Sequence, residues 1–189
     1  YPDGSGGLMG RIGLTWNAGT CCGTAWETDA DDLGFALAML DDLARRRPFD
    51  PTRTYAAGHS NGGMMAYHLA RNAPERIAAM ASVAGCSFDP SASPTRAVPV
   101  LHIHSVDDPV APWRGGSRRE SRAGAPVVHG DLDASIAWWR AHDGTDPTPT
   151  IIRRPSWRDP TGRTHTAEES RWGNGRDGSE VALIRITGA

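Results

Sequence analysis

The stretch Gly58-His59-Ser60-Asn61-Gly62 decides the fold. It follows a β-like run, Thr54-Tyr55-Ala56-Ala57, and precedes a helix-like run over residues 63–72. Gly-x-Ser-x-Gly between a strand and a helix is typical of a nucleophile elbow, a sharp turn that lifts a serine hydroxyl off the sheet edge. The motif predicts Ser60 as a nucleophile and the backbone N–H of Asn61 as a donor to a developing oxyanion. We interpret the two flanking glycines as positions where strand and helix pass too close for a Cβ atom.

Strand-like and helix-like segments alternate around this motif, which favours an α/β fold with a mostly parallel sheet. Residues 1–28 are rich in glycine and are predicted to form a loop. The predicted helices span residues 29–47, 63–72 and 131–142; the predicted strands span 54–57, 78–84, 98–104 and 181–187, with a further hairpin formed by 151–152 and 164–166. We expect residues 1–189 to belong to one domain.

Composition excludes several function classes. The net charge is −2, so no basic field favours nucleic acid or an anionic membrane as a partner. All 20 basic residues are arginine, which removes a lysine Schiff base or lysine general base from this chain. No apolar run approaches the length of a membrane span.

A pair of acids follows the predicted strand 98–104, in the segment Ser105-Val106-Asp107-Asp108-Pro109. An activated serine needs a base, usually histidine, and a carboxylate that orients the base. Where the order along the chain is serine, then acid, then histidine, the acid follows a later strand than the serine. We predict Asp108 as the acid and Asp107 as a solvated neighbour. The alternative is that Asp108 only caps the turn after it.

A base is harder to find in the sequence. The chain has seven histidines, and none follows the last predicted strand; they are His59, His68, His102, His104, His129, His142 and His165. The first lies within the elbow itself, and the pair on strand 98–104 either orients the acid loop or sits in the core. His129 and His165 are the least unsuitable as a base. We therefore expect the base to lie beyond Ala189.

Aromatic and metal-binding residue types give weaker signals. Trp16, His59 and Trp113 flank the predicted site and are candidates to line a substrate cleft; the alternative for the tryptophans is that they anchor loops on the core. The spacing of Cys21, Cys22 and Cys86 matches no zinc pattern, and the sequence leaves open free thiols or a disulfide. We predict no metal ion and no organic cofactor.

Several segments together resemble a known family of secreted bacterial esterases, which groups polyhydroxybutyrate depolymerases with feruloyl and acetyl xylan esterases. The matching segments are Trp16-Asn17-Ala18-Gly19-Thr20-Cys21-Cys22-Gly23, Asp31-Asp32-Leu33-Gly34-Phe35, Asp50-Pro51-Thr52-Arg53, the elbow through Met65, residues 78–85, and His102-Ile103-His104-Ser105-Val106-Asp107-Asp108-Pro109. The resemblance covers roughly residues 1–142. Ser105 departs from it, because the family usually has glycine there.

The resemblance implies an α/β-hydrolase fold with helices on both faces of the sheet. It implies Ser60 as nucleophile, Asp108 as triad acid, secretion, and polyester or plant cell-wall esters as substrates. The chain would then be an internal fragment that lacks the N-terminal strands and the C-terminal histidine loop, and it would be nearly inactive alone. Two alternatives remain: a non-catalytic carbohydrate- or polymer-binding module on the same fold, and a serine peptidase. The sequence predicts no oligomeric state.

Overall fold

The computed structural model describes residues 5–8, 12–91, 93–118 and 127–188. The helices are α1 (Gly23–Glu27), α2 (Asp32–Arg46), α3 (Asn61–Asn72) and α4 (Leu132–Asp143). The strands are β1 (Ser5–Leu8), β2 (Ile12–Thr15), β3 (Tyr55–His59), β4 (Ala79–Val83), β5 (Val100–Ser105), β6 (Gly116–Arg118), β7 (Val127–His129), β8 (Thr150–Arg153), β9 (Ser156–Arg158), β10 (Thr164–Trp172) and β11 (Val181–Thr187). None of the helices in this part of the chain has the length and hydrophobicity that crossing a bilayer requires.

The main sheet has the strand order β3-β4-β5-β11-β10-β8, and β9 pairs with β10. Strands β3, β4, β5 and β11 run parallel, whereas β8, β9 and β10 are antiparallel to their partners. The α/β prediction with a mostly parallel sheet is confirmed. Because the four parallel strands share one direction, the segments that follow them all leave from the same edge of the sheet.

The hydrophobic core lies between one face of this sheet and helices α3 and α4. Alternate residues face it along each strand, so that Met80, Val100 and Val181 stand in one row across β4, β5 and β11. Tyr67 of α3 and Trp139 of α4 are fully buried against that face. The residues of the opposite face, such as those at 81, 101 and 103, are only half-buried. Coverage by helices on both faces stays a prediction for the full-length protein.

Local capping explains where the first long helix begins. The sequence predicted a helix from residue 29, but α2 begins at Asp32. Asp29 has a positive φ of 50°, and the side chain of Asp31 accepts a hydrogen bond from the backbone N–H of Gly34 at 2.8 Å. Asp31 is thus the N-cap, and it ends the preceding turn rather than belonging to the helix. The acids at the start of α2 have a structural role, since Asp31 caps the helix and Asp32 accepts from the backbone N–H of Asn17.

The prediction that residues 1–28 form only a loop is wrong. β1 and β2 form an antiparallel hairpin, and α1 follows it. The segment after the hairpin packs on α3, because Ala18 and Cys21 are buried in a cluster with Met64 and Met65. Strand pairing and packing against a distant helix stabilise these elements, so the local glycine content was a misleading signal.

Candidate active site

Ser60 occupies the turn between β3 and α3. Its backbone has φ 54° and ψ −122°, a positive-φ conformation that costs a non-glycine residue about 1–3 kcal/mol. The turn is held on both sides: the Ser60 N–H donates to the carbonyl of Val83 at 2.8 Å, and its own carbonyl accepts from Met64 at 3.1 Å. The half-buried side chain makes no capping hydrogen bond to α3. The hydroxyl is therefore not engaged in holding the helix that it begins.

Two glycines allow the backbone to close around this turn. A Cβ atom on Gly58 would overlap the backbone of Gly62, which agrees with the sequence interpretation of Gly58. The same interpretation of Gly62 is wrong, because a Cβ there would point into open space. The second close approach belongs to Gly85, where a Cβ would overlap the carbonyl oxygen of Ser60. Gly85 follows β4, so only the parallel pairing of β3 and β4 brings it to the elbow.

Asn61 is the first residue of α3, and its side chain contacts a distant loop. The backbone N–H of a first helical residue has no partner within the helix, so this donor is available to an anion. The side-chain oxygen accepts from the backbone N–H of Trp16 at 2.7 Å, and the side-chain nitrogen donates to the Trp16 carbonyl at 3.0 Å. This amide pair fixes the loop after β2 against the elbow. Sequence reasoning missed it, because the two residues are 45 positions apart.

Asp108 lies in the loop after β5. Its Oδ1 accepts hydrogen bonds from the backbone N–H groups of Val110 at 2.8 Å and Ala111 at 2.9 Å. Asp108 therefore does cap the turn after it, which was the alternative reading of the sequence. Its Oδ2 lies 3.8 Å from Nε2 of His104, too far for a hydrogen bond. The capping role thus uses one carboxylate oxygen and leaves the other for a further donor.

Asp107 is exposed but is not simply solvated as predicted. Its Oδ2 accepts a hydrogen bond from the backbone N–H of Gly188 at 3.2 Å. In addition, the N–H of Val106 donates to the carbonyl of Ile186 at 2.9 Å. The acid loop therefore lies directly against the chain where it leaves β11.

The sheet register brings the serine and the acid to the same edge. His59, Val83 and Ile103 stand side by side in β3, β4 and β5, and Ser60 directly follows this row. One strand separates β3 from β5, which corresponds to about 10 Å across the sheet. That separation is compatible with one imidazole between a serine and a carboxylate. The expected distance of roughly 6–9 Å between the Ser60 hydroxyl and the Asp108 carboxylate stays a prediction.

Two of the other histidines are each hydrogen-bonded to a carboxylate away from the elbow. His165 is on β10, four strands from β3 and hence roughly 19 Å away across the sheet, and it is paired with Asp159 at 2.9 Å. His142 is paired with Asp143 at 2.8 Å at the end of α4. His59 is exposed beside the elbow.

Two buried histidines lie directly under the acid loop. His102 and His104 alternate along β5, and both are almost fully buried on the core face. Burial, together with the smaller effect of the neighbouring His104, lowers the pKa of His102 from 6.5 to about 3. His102 is therefore a neutral ring near pH 7.

The candidate cleft residues lie in different environments. Trp16 stacks on Phe35 with ring centroids 6.3 Å apart, and both line a cleft of about 450 Å³ that extends along β3 to His59 and Gly62. Trp113 instead packs in the core and donates from its indole nitrogen to Asp133 at 3.1 Å. Its contacts favour the loop-anchoring alternative that the sequence left open.

The cysteines and acids do not form a metal centre within the described ranges, where no group of three His, Cys, Asp or Glu side chains is arranged to hold a metal ion. Cys21 and Cys22 are joined in a disulfide, one of the two alternatives that the sequence left open for the cysteines. Cys86 is a buried free thiol, and burial raises its pKa to about 12. A thiol in this state is a poor nucleophile.

Sequence comparison with known proteins places this chain among esterases. The sequence profile of the family described as Esterase PHB depolymerase matches residues 16–173. The chain is 30% identical over 151 residues to feruloyl esterase B of Piromyces equi, a match that covers 76% of this chain and 26% of that protein. A 91-residue segment is 44% identical to NocK of Nocardia uniformis subsp. tsuyamanensis, which is named as an esterase, and covers 47% of this chain and 26% of that protein.

A third similar protein is the bifunctional acetylxylan esterase/xylanase XynS20E of Neocallimastix patriciarum. It is 28% identical over 110 residues, which cover 58% of this chain and 14% of that protein. The chain therefore spans about a quarter of the length of the first two relatives and less of the third.

Proposed function

Because the chain belongs to the esterase PHB depolymerase family, we propose that it is the nucleophile- and acid-bearing part of a serine carboxylic-ester hydrolase. The backbone of Ser60 carries this proposal. A serine held at φ 54° between a strand and a helix, with no capping bond to that helix, has a hydroxyl that is free to react. Strain of this kind persists only where the surrounding structure enforces it, and it is concentrated at functional sites.

In the proposed reaction the Ser60 oxygen attacks the ester carbonyl carbon and its proton passes to a histidine. The resulting oxyanion accepts a hydrogen bond from the Asn61 N–H at the start of α3. Collapse of the tetrahedral intermediate expels the alcohol, which takes the proton from the imidazolium. Water then attacks the acyl-enzyme with the same histidine as base, releasing the acid and restoring Ser60.

We propose that Asp108 orients this histidine and that the histidine follows β11 in the full-length protein. Two contacts support the position: the acid loop is hydrogen-bonded to the chain at Ile186 and at Gly188, where it leaves β11. A residue shortly after this point would therefore lie beside Asp108. Without the histidine, the 189-residue chain should be slower than the full-length enzyme by about 10⁴–10⁶-fold.

For the substrate, we propose esters of plant cell-wall polysaccharides or an aliphatic polyester. The names of the relatives support the first class, since one is a feruloyl esterase and one an acetylxylan esterase. The family description supports the second. Turnover of methyl ferulate, acetylated xylan and polyhydroxybutyrate by the full-length protein would rank these classes. The extracellular location that the resemblance implies stays a prediction.

The experiment uses the full-length protein and a p-nitrophenyl ester. We expect Ser60→Ala and Asp108→Asn each to lower kcat by about 10⁴-fold or more. Ser91→Ala is the matched control, since Ser91 is an exposed serine on a different loop. Equal turnover by Ser60→Ala and the wild type would refute the proposal.

The same preparation separates the rival functions. A wild-type protein that hydrolyses a matched amide as fast as the ester would be a peptidase. One that binds xylan or polyester but hydrolyses neither would be a non-catalytic module.

A further inference from the structure

A row of hydrogen-bonded side chains runs from α3 to the acid loop. The Tyr67 hydroxyl lies 2.8 Å from Nδ1 of His102, and Nε2 of His102 lies 2.9 Å from Nδ1 of His104. Nε2 of His104 lies 2.7 Å from the carbonyl oxygen of Ala111. We call Tyr67, His102 and His104 the buried ring chain. All three side chains are almost fully buried, so none of these groups exchanges its partner for water.

The direction of every hydrogen bond in the buried ring chain follows from its last member. A carbonyl oxygen can only accept, so Nε2 of His104 donates to Ala111. When Nδ1 of His104 is the acceptor, His102 donates to it from Nε2. The remaining nitrogen of His102 is an acceptor, and the Tyr67 hydroxyl donates to it. This arrangement places a proton on Nε2 of both rings and gives every ring nitrogen a partner.

The row ends on the backbone of Ala111, the residue that also holds the acid. The carbonyl of Ala111 accepts from His104, and the N–H of the same residue donates to Oδ1 of Asp108 at 2.9 Å. Fixing this residue from one side therefore fixes the carboxylate on the other side. Oδ2 of Asp108, 3.8 Å from His104, receives no hydrogen bond from this ring.

Packing keeps the rings in place. The rings of His102 and His104 are stacked, with centroids 5.2 Å apart and planes within 8°. Trp113 meets His104 edge-on at 5.9 Å, and Trp139 packs on Tyr67 at 6.2 Å. A ring that is enclosed in this way cannot rotate to another hydrogen-bonding arrangement without disturbing the core.

We propose that the buried ring chain positions Asp108 for catalysis, so that Oδ1 is held by the loop and Oδ2 is reserved for the N–H of the catalytic histidine. This rests on the proposed function, in which Asp108 is the triad acid. His104 acts through the backbone of Ala111 and is a positioning residue. Tyr67 and His102 fix the direction in which His104 donates.

The test is a double-mutant cycle in the full-length protein with a p-nitrophenyl ester. His104→Phe keeps an aromatic ring but removes the donor to Ala111. We expect it to lower kcat by about 10–100-fold, as loss of a supporting partner does at other sites, with KM changed less than about twofold. A displaced carboxylate stabilises the imidazolium less, so the pKa of the catalytic histidine should fall. The acid limb of the pH profile of kcat/KM should therefore shift to lower pH. His104→Gln, which retains a donor and an acceptor, should keep more of kcat than His104→Phe.

The decisive comparison is made in the Asp108→Asn background. If His104 acts through Asp108, His104→Phe should lower kcat there by less than about threefold, because the group that it positions has already been lost. The inference would be overturned if His104→Phe lowered kcat by the same factor in both backgrounds, or if it had no effect on kcat in either. A wild-type kcat for Asp108→Asn alone would instead refute the proposed acid. If His104→Phe fails to fold, Tyr67→Phe replaces it and should lower kcat several-fold in the wild-type background only.

A measurement independent of catalysis checks the row itself. In ¹⁵N-labelled protein at pH 7, the imidazole nitrogen shifts should show the proton on Nε2 and an acceptor at Nδ1 in both His102 and His104. Protonation of either ring on Nδ1, or a charged ring, would contradict the hydrogen-bond directions on which the inference depends.

Discussion

One buried ring, His102, should make the fold less stable in acid. Its pKa is about 3 in the folded chain against 6.5 for an exposed histidine, chiefly because burial disfavours the charged form. The unfolded chain therefore binds a proton at this residue between pH 6.5 and pH 3, and the folded chain does not. Stability rises with pH wherever the unfolded state binds more protons. The contribution of His102 is thus fully present above pH 6.5 and is lost as the pH falls.

The size of the loss follows from the same two pKa values. Each pH unit within the window costs about 1.4 kcal/mol. At pH 5 the folded ring is still neutral, so the result depends almost only on the unfolded pKa. The linkage relation then gives a loss of about 2 kcal/mol between pH 7.5 and pH 5.

Urea unfolding at a series of pH values measures this loss in wild type and in His102→Gln. Glutamine keeps an acceptor for Tyr67 and a donor for His104 but cannot be protonated. Because all other titrating groups are common to both proteins, the wild type should lose about 2 kcal/mol more than the variant between pH 7.5 and pH 5. The control His59→Gln, which removes an exposed imidazole, should follow the wild type. Equal losses in wild type and His102→Gln would refute the reasoning.

Three substitutions test the elbow, and one labelling experiment tests the core. Asn61→Ala should lower the free energy of unfolding by about 1–3 kcal/mol, because two backbone groups of the facing loop lose their partner; Asn72→Ala, at an exposed site, should cost much less in the same urea titration. Gly85→Ala should destabilise by about 1–3 kcal/mol through overlap with the elbow backbone. Gly62→Ala should be neutral or stabilising by up to about 1 kcal/mol, since its Cβ has space and lies in a helix. A greater loss of stability in Gly62→Ala than in Gly85→Ala would contradict the geometry. Cys86 should resist iodoacetamide at pH 8 in the native protein and react in urea, as peptide mass spectrometry would reveal; rapid native alkylation would contradict its burial.

Local signals predicted the elbow and the parallel strands well. The motif around Ser60 combines a β-like run, a serine between glycines and a helix-like run, and all of these signals lie within about twenty residues. The strand β11 has the bounds that its apolar run predicted. The alternation of His102 and His104 was sufficient to place both on one face of β5.

The errors came from contacts between distant parts of the chain. Gly85 reaches the elbow only through the pairing of β3 with β4, so no local pattern distinguished it from Gly62. The amide pair between Asn61 and Trp16 likewise requires the loop after β2 to fold back on α3. The hairpin of β1 and β2 was missed for a different reason: its strands are close in sequence, but their glycines indicate a loop.

Covalent labelling tests the central claim most directly, because only an activated serine reacts quickly with a fluorophosphonate. The full-length protein would be treated with the reagent, digested and mapped by mass spectrometry. We expect one adduct, on Ser60, together with loss of ester hydrolysis, and no adduct in Ser60→Ala. An adduct on a different serine, or continued hydrolysis by a protein whose Ser60 is fully labelled, would contradict the assignment of Ser60 as the nucleophile.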